Sequence, residues 1–229
     1  MILFPIIASI IIYIYIVKKY KETTYYYITH NNFLSVYLDK GKLGEYFIYK
    51  KLMQYEYNNG RFLFNLYIPK ENGETTEIDV ILITTKGIFI FESKNYSGWI
   101  FGNANSKMWM QTLPAGKGKS QKKQFYNPIF QNNIHIKNLR NILSEDIKMY
   151  SIITFSERCE LKKVPENTET VKIIKRNYIK EIVDNIYNFN IDIIDNQKVS
   201  EIYKKLYPYS QVDKNVKRQH IQNIEDTHK

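Results

Sequence analysis

Two apolar segments that lie close together constrain the fold of this chain more than any other feature. Residues 77–84 and 88–94 are rich in isoleucine, valine and phenylalanine, and only a few residues, including Lys86 and Gly87, separate them. β-branched and aromatic residues favour strands, and a connection this short favours antiparallel pairing. The sequence therefore predicts a β-hairpin in the middle of the chain.

Helices and strands are also predicted on both sides of this hairpin. Their ranges are 41–56 (helix), 62–68 (strand), 127–144 (helix), 150–155 and 171–174 (strands), and 177–187 and 196–206 (helices). This order is typical of an α/β fold with a central sheet flanked by helices. No glycine-rich dinucleotide motif follows a strand, and residues 116–120 lack the spacing of a phosphate-binding loop.

An uncharged run at the N-terminus predicts a membrane anchor. As a helix, Ile2 to Val17 would rise about 25 Å, somewhat less than a hydrocarbon core of roughly 30 Å. Lysines follow the run and no charged side chain precedes it, which disfavours a signal peptide and places the remaining chain in the cytoplasm. We expect a transmembrane helix over 1–21, a polar juxtamembrane segment over 22–39, and a single-pass protein at the cell membrane; a buried core element is the alternative.

Acidic side chains interrupt both strands of the predicted hairpin. Asp79 lies among apolar residues, and Glu92 follows an apolar run. In such surroundings a carboxylate is costly to bury unless it is paired or binds a cation. Glu92 and Lys94 are two residues apart and project from one face of a strand, and hairpin pairing can bring Asp79 beside them. Metal-assisted phosphodiester hydrolysis uses such groups: two carboxylates for Mg²⁺ and an ammonium that orients water. A surface ion pair on an edge strand is the alternative.

Five short motifs follow one another along the chain: GKLGE at 41–45, EID at 77–79, GIFIFESKN at 87–95, GW at 98–99 and NPIFQ at 127–131. In this order they resemble the NERD (nuclease-related) domain of the PD-(D/E)xK superfamily, over residues 40–156. The resemblance implies a restriction-endonuclease-like fold, in which helices flank a central mixed sheet.

The resemblance also implies a role for individual residues. Asp79 and Glu92 would bind Mg²⁺ or Mn²⁺, and Lys94 would be the catalytic lysine. Glu45 would be an accessory carboxylate, and Gln131 a polar group facing the site. Two of these have simpler explanations, because Glu45 is also favoured by the helix dipole and Gln131 could hydrogen-bond a neighbouring loop.

A polyanionic partner agrees with the charge of the chain. The net charge is +10, and lysines 117, 119, 122 and 123 lie in a basic segment over 115–123, which we expect to be a flexible loop. We expect nucleic acid as the substrate, with DNA ahead of RNA. The alternatives are a membrane-tethered binding or scaffold module with little turnover, and a peripheral protein that binds anionic lipid.

The remaining features predict no further chemistry. Cys159 is the only cysteine, so no disulfide can form within the chain, and no histidine pair has zinc-ligand spacing. Trp99 and Trp109 are expected in the core. Residues 157–207 are predicted to be an α/β extension, and residues 208–229 a basic, disordered tail.

Overall fold

The computed structural model describes residues 3–116 and 118–227, with side chains described throughout except at 3–4 and 224–227. Ile2 of the predicted anchor and Lys117 of the basic segment lie outside the described residues. The helices are α1 (Leu3–Lys21), α2 (Thr24–Thr29), α3 (Phe33–Leu38), α4 (Lys40–Leu52), α5 (Pro128–Leu143), α6 (Ile179–Phe189), α7 (Asn196–Ser210) and α8 (Lys214–Thr227). The strands are β1 (Arg61–Pro69), β2 (Thr75–Thr84), β3 (Gly87–Lys94), β4 (Gly98–Phe101), β5 (Met108–Pro114), β6 (Ser120–Tyr126), β7 (Met149–Phe155), β8 (Cys159–Lys163) and β9 (Val171–Lys175).

The main sheet is built around the predicted hairpin. Its strand order is β1-β2-β3-β7-β9; β1, β2 and β3 are antiparallel, and β7 and β9 continue the sheet in parallel with β3. Every residue of β7 is buried, as expected for a strand covered on both faces. All five predicted strands lie within observed strands, which extend them by one or two residues.

The predicted helices also correspond to observed ones. The helix predicted over 41–56 is α4 followed by a 3₁₀ turn (Met53–Asn58), and it ends at Asn59 in the left-handed conformation (φ 61°). The other three predicted helices correspond to α5, α6 and α7. Apolar periodicity was sufficient for these four because each presents an apolar face to the sheet or to another helix.

Helices α4 and α5 cover opposite faces of the main sheet, because neighbouring residues of β3 point in opposite directions. The Glu92 side chain lies against His135 of α5. Ser93 instead lies against α4 at Gly44, where an added Cβ would come within 2.5 Å of the Ser93 hydroxyl. Gly44 therefore permits the close approach of α4 to the sheet.

A second sheet differs from the single central sheet that was predicted. Its order is β6-β5-β4-β8, with β4 and β8 parallel and the other pairs antiparallel. Trp109 of β5 is buried and stacks on Phe155 of β7, at 6.3 Å between ring centroids. Trp109 is thus a core residue as predicted, whereas Trp99 is 49% exposed. The end of the segment expected to be a flexible loop, from Ser120 onward, is part of β6.

The N-terminal helix α1 does not meet the requirements of a membrane span. Within residues 3–116 and 118–227, no helix is both long enough and apolar enough to cross a membrane. The predicted transmembrane helix is therefore wrong, and so is the single-pass placement at the cell membrane with a cytoplasmic domain. Lysines 18, 19 and 21 occupy the last turn of α1, and the uncharged part before them rises only about 22 Å, against a core of roughly 30 Å.

The segment 22–39, predicted to be a polar juxtamembrane stretch, forms α2 and α3 and belongs to the core. Side chains of Thr23 and Asn32 cap the two helices. Tyr25 and Val36 are fully buried, and the Tyr25 ring packs edge-on against Phe64 of β1 at 4.8 Å between centroids. Each helix is only 6 residues long, too short to show a clear apolar period in the sequence.

The C-terminal segment also differs from the prediction, which was a disordered tail after residue 207. Helix α7 continues through Pro208 to Ser210, and α8 begins at Lys214 and packs against β2. His220 of α8 is buried. A polar helix of this length is marginal in isolation and depends on such tertiary contacts, which sequence periodicity does not reveal.

The burial of α2 can be tested by a matched pair of tyrosine substitutions. Tyr25→Ala should lower the free energy of unfolding by about 3–5 kcal/mol, because it removes a fully buried aromatic ring. Tyr27→Ala, on the same helix but 66% exposed, should change it by less than about 0.5 kcal/mol. Urea unfolding followed by circular dichroism measures both, and equal values would mean that α2 does not pack as described.

Candidate active site

Strands β2 and β3 separate where their two carboxylates lie. The pairing between them ends at Val80 and Phe91, so Asp79 and Glu92 are the next residues on each strand. Asp79 Oδ2 accepts a hydrogen bond from the backbone N–H of Ser93 at 2.7 Å. The Asp79 carboxylate thus takes the place of a backbone acceptor and is held beside Glu92.

Glu92 is a buried carboxylate that pairs with the ammonium group of Lys94. Its side chain is 2% exposed, and Oε1 accepts a hydrogen bond from Lys94 Nζ at 2.5 Å. Lys94 Nζ also donates to Gln131 Oε1 at 3.0 Å. The structure therefore brings Asp79, Glu92, Lys94 and Gln131 together at the end of the main sheet.

His135 belongs to this group although the sequence analysis assigned it no role. Its Nε2 lies 3.2 Å from Glu92 Oε2, and its Nδ1 lies 2.9 Å from Thr76 Oγ1. It is 1% exposed. The one signal in the sequence was its position four residues after Gln131, which places both side chains on the same face of α5.

Glu45 is buried, and its charge acts on Asp79. Its Oε2 accepts hydrogen bonds from Tyr25 Oη at 3.3 Å and from Asn65 Nδ2 at 3.0 Å. Asn65 has a positive φ of 50° in the middle of β1, a conformation that asparagine tolerates better than most residues. Glu45 therefore acts on the site through its charge, not through a hydrogen bond to Asp79, Glu92 or Lys94 among the described contacts.

Asn127 explains how α5 is positioned over the site. Its side chain caps α5 by accepting from the backbone N–H of Ile129 at 2.9 Å, and Pro128 occupies the first turn. The Asn127 amide also donates to three backbone carbonyls of the β4–β5 loop, those of Asn103, Ala104 and Ser106. The start of α5 is thereby attached to the second sheet, and Gln131 and His135 follow one and two turns later.

The pKa values of the Asp79 and Glu92 carboxyl groups are shifted in opposite directions. Burial, together with the charges of Glu92 and Glu45, raises the pKa of Asp79 well above its ordinary value. Burial alone would also raise the pKa of Glu92, but Lys94 and His135 together hold it below its ordinary value. Burial alone would lower the pKa of Lys94, yet Glu92 raises it, so this side chain is an ammonium at neutral pH.

A divalent cation with oxygen ligands fits this donor set better than zinc does. In the described part of the chain, no three His, Cys, Asp or Glu side chains are arranged to hold a metal ion. Mg²⁺ differs from zinc because it commonly uses one or two carboxylates and completes its shell with water and substrate phosphate. Asp79 and Glu92 would be the ligands. The charge of Glu92 helps to raise the pKa of Asp79, and a cation bound between the two groups would reduce this repulsion.

A cleft of about 440 Å³ opens beside these groups and is lined by Asp79 and Gln131. Glu77 also lines it. Glu77 Oε1 accepts from Tyr67 Oη at 2.8 Å, and its Oε2 lies 3.8 Å from His220 Nε2 of α8. The contribution of α8 to this cleft has no signal in the sequence, because His220 is far from the other residues along the chain.

The nuclease-related domain (NERD) family matches residues 40–156 of the chain. These residues contain the hairpin of β2 and β3, helix α4 with Glu45, and helix α5 with Gln131. The match spans more than half of the chain, so this protein belongs to the NERD family.

An uncharacterized protein of Bacillus anthracis is 28% identical over 185 residues, which cover 81% of this chain and 84% of that protein. No solved structure matches the chain at a significant level. The similarity to the Bacillus anthracis protein covers more residues than the matched domain, so it includes part of the flanking segments.

Glu45 provides a test of the site's electrostatics in the absence of metal. Burial raises the pKa of Glu45 to about 7, with Glu77 adding to the shift, from an ordinary value of 4.5. A raised pKa means that Glu45 favours folding most below pH 4.5, and that this contribution is lost as the pH rises to about 7.

Glu45→Gln stays neutral at every pH and should therefore stabilise the metal-free protein at pH 8, by at most about 3 kcal/mol, and have little effect at pH 4. Thermal unfolding at the two pH values measures the difference. Glu71→Gln, at an exposed carboxylate paired with Lys137, is the matched control. A destabilised Glu45→Gln variant at pH 8 would contradict the raised pKa.

Proposed function

We propose that this chain is a metal-dependent nuclease that hydrolyses phosphodiester bonds of DNA, with RNA as the less favoured substrate. The observation that carries the proposal is the position of the Asp79 and Glu92 carboxylates where β2 and β3 separate, with the Lys94 ammonium bound to Glu92 and Gln131. Membership of a nuclease-related family supports the same chemistry.

The proposed roles follow from the charges of the groups. Asp79 and Glu92 would hold Mg²⁺ or Mn²⁺. The cation would polarise the phosphoryl group of the substrate and make a bound water more acidic. Lys94 is protonated at neutral pH, so it would orient the attacking water and offset negative charge at the phosphate, and it would not act as a base. Gln131 positions the Lys94 ammonium, and His135 positions Glu92.

Surface charge supports a nucleic-acid substrate. The net charge of +10 favours association with polyanions. Lys119, Lys122 and Lys123 are exposed on β6 and the turn before it, and Lys107 is exposed at the cleft. At the cleft itself, the positive charge available to a phosphodiester chain is that of Lys107, since Lys70 pairs with Glu74.

Substitution of the central residues tests the proposed chemistry. Asp79→Asn and Lys94→Met should each lower the rate of Mg²⁺-dependent cleavage by about 10²–10³-fold or more, because each removes a charge that acts on the reacting phosphate. Cleavage of labelled single-stranded and double-stranded DNA and RNA, with Mg²⁺, Mn²⁺ or a chelator, measures the effect.

The control is Glu74→Gln, which removes an acidic group that lines the same cleft but pairs with Lys70. Circular dichroism must show that all variants are folded. Wild-type rates in folded Asp79→Asn or Lys94→Met would exclude these residues from catalysis, and binding without cleavage by the wild type would favour the binding-module alternative.

The lysines of β6 provide a separate test of nucleic-acid binding. Changing Lys119, Lys122 and Lys123 to Gln should reduce the slope of log affinity against log salt by up to about 3, because each lost phosphate contact contributes roughly 0.9 for duplex DNA. Changing Lys18, Lys19 and Lys21 of α1 removes the same charge elsewhere and should leave the slope nearly unchanged. Fluorescence anisotropy at several salt concentrations measures both slopes. If the variant at Lys119, Lys122 and Lys123 has the same slope as the wild type, these lysines do not contact the nucleic acid.

A further inference from the structure

The cleft beside Asp79 has one side that lies outside the residues matched by the NERD family. Helix α8 contributes His220 and Asn223 to its lining. His220 is 6% exposed, and its Nδ1 lies 3.1 Å from Thr75 Oγ1 and 3.2 Å from Thr75 O. Its ring also packs edge-on against Tyr67 of β1. These contacts hold α8 against the start of β2, so α8 forms one side of the cleft.

Apolar side chains line the cleft as well. Tyr126, at the end of β6, is half-buried, and Ile134 of α5 is 38% exposed. An aromatic ring and an aliphatic side chain that line the same cleft offer apolar surfaces on which an unpaired base can stack, and Lys107 adds positive charge for the backbone. Stacking of bases beside a cationic groove is the usual way in which proteins bind single strands.

We propose that the cleft receives a single-stranded segment of nucleic acid, with an unpaired base stacked on Tyr126 and Ile134, and that α8 excludes the complementary strand. This inference rests on the proposed nuclease function and adds the strand state of its substrate. A volume of about 440 Å³ is that of a small-ligand pocket. A site of that size takes a group as large as a base with its sugar, but not both strands of a duplex.

Binding to the full chain tests the stacking surface without depending on catalysis. Three labelled ligands of one length are compared by fluorescence anisotropy at fixed salt and with a chelator present: a single strand, the same strand with abasic sites, and its duplex. The wild type should bind the single strand about tenfold more tightly than the abasic strand, the effect expected for stacking of one base. It should also bind the single strand more tightly than the duplex.

Variants separate stacking from a structural effect. Tyr126→Ala should bind the normal strand as weakly as the abasic strand, with abasic binding unchanged, whereas Tyr126→Phe should retain the wild-type difference. Tyr178→Ala, at a 51% exposed tyrosine that does not line this cleft, is the control and should behave as wild type. Equal loss of normal and abasic binding in Tyr126→Ala would overturn the stacking role.

The role of α8 is tested by His220→Ala, with Gln219→Ala at an exposed position of the same helix as its control. His220→Ala should narrow the difference between single strand and duplex, and Gln219→Ala should not. Equal wild-type affinity for single strand and duplex would overturn the inference. In the Mg²⁺ cleavage assay, equal rates on both substrates would also overturn it while leaving the nuclease function intact. A binding preference without any cleavage would reject the nuclease function and leave only single-strand binding at the cleft.

Discussion

The arrangement of the site depends on one buried negative charge, that of Glu92. An unpaired carboxylate in the middle of a sheet would cost several kcal/mol, so its partners must arrive with the fold. Lys94 comes from the same face of β3, and His135 comes from α5, which covers that face. The position of α5 relative to the sheet, fixed at its start by Asn127, is therefore part of what keeps Glu92 charged.

Asp79 differs from Glu92 because, among the described contacts, no cationic side chain bonds to its carboxyl group, although the charge of Lys94 acts on it. It accepts a backbone N–H from Ser93, but burial and the charges of Glu92 and Glu45 act against its ionisation. Glu92 is therefore a stabilised carboxylate, whereas the surroundings of Asp79 oppose its ionised form. Both residues lie where β2 and β3 separate and the cleft begins. In the proposed function, a divalent cation would favour the ionised form of Asp79, and it would be bound where a substrate phosphate can reach it.

Segments outside the matched residues complete both the core and the cleft. Tyr25 of α2 fills the core beside β1 and donates a hydrogen bond to Glu45. His220 of α8 contacts Thr75 and lies near Glu77 at the edge of the cleft. The matched domain is therefore completed by segments outside it: α2 contributes to the core, and α8 contributes to the lining of the cleft.

The sequence by itself determined the elements whose signals are local. The apolar runs of β2, β3 and β7 and the apolar periodicity of the helices predicted most of the main sheet and four of its helices. The spacing of Glu92 and Lys94 placed these two side chains on one face, and the family motifs added Glu45 and Gln131. The membrane span was mispredicted because an uncharged apolar run followed by lysines resembles an anchor, although it is shorter than the hydrocarbon core of a bilayer. Only the tertiary structure decided that α2 and α8 form, that His135 pairs with Glu92, that Asn65 turns toward Glu45, and that a second sheet supports α5. These features join residues far apart in the chain, and burial and electrostatic pairing between such residues leave no period or motif in the sequence.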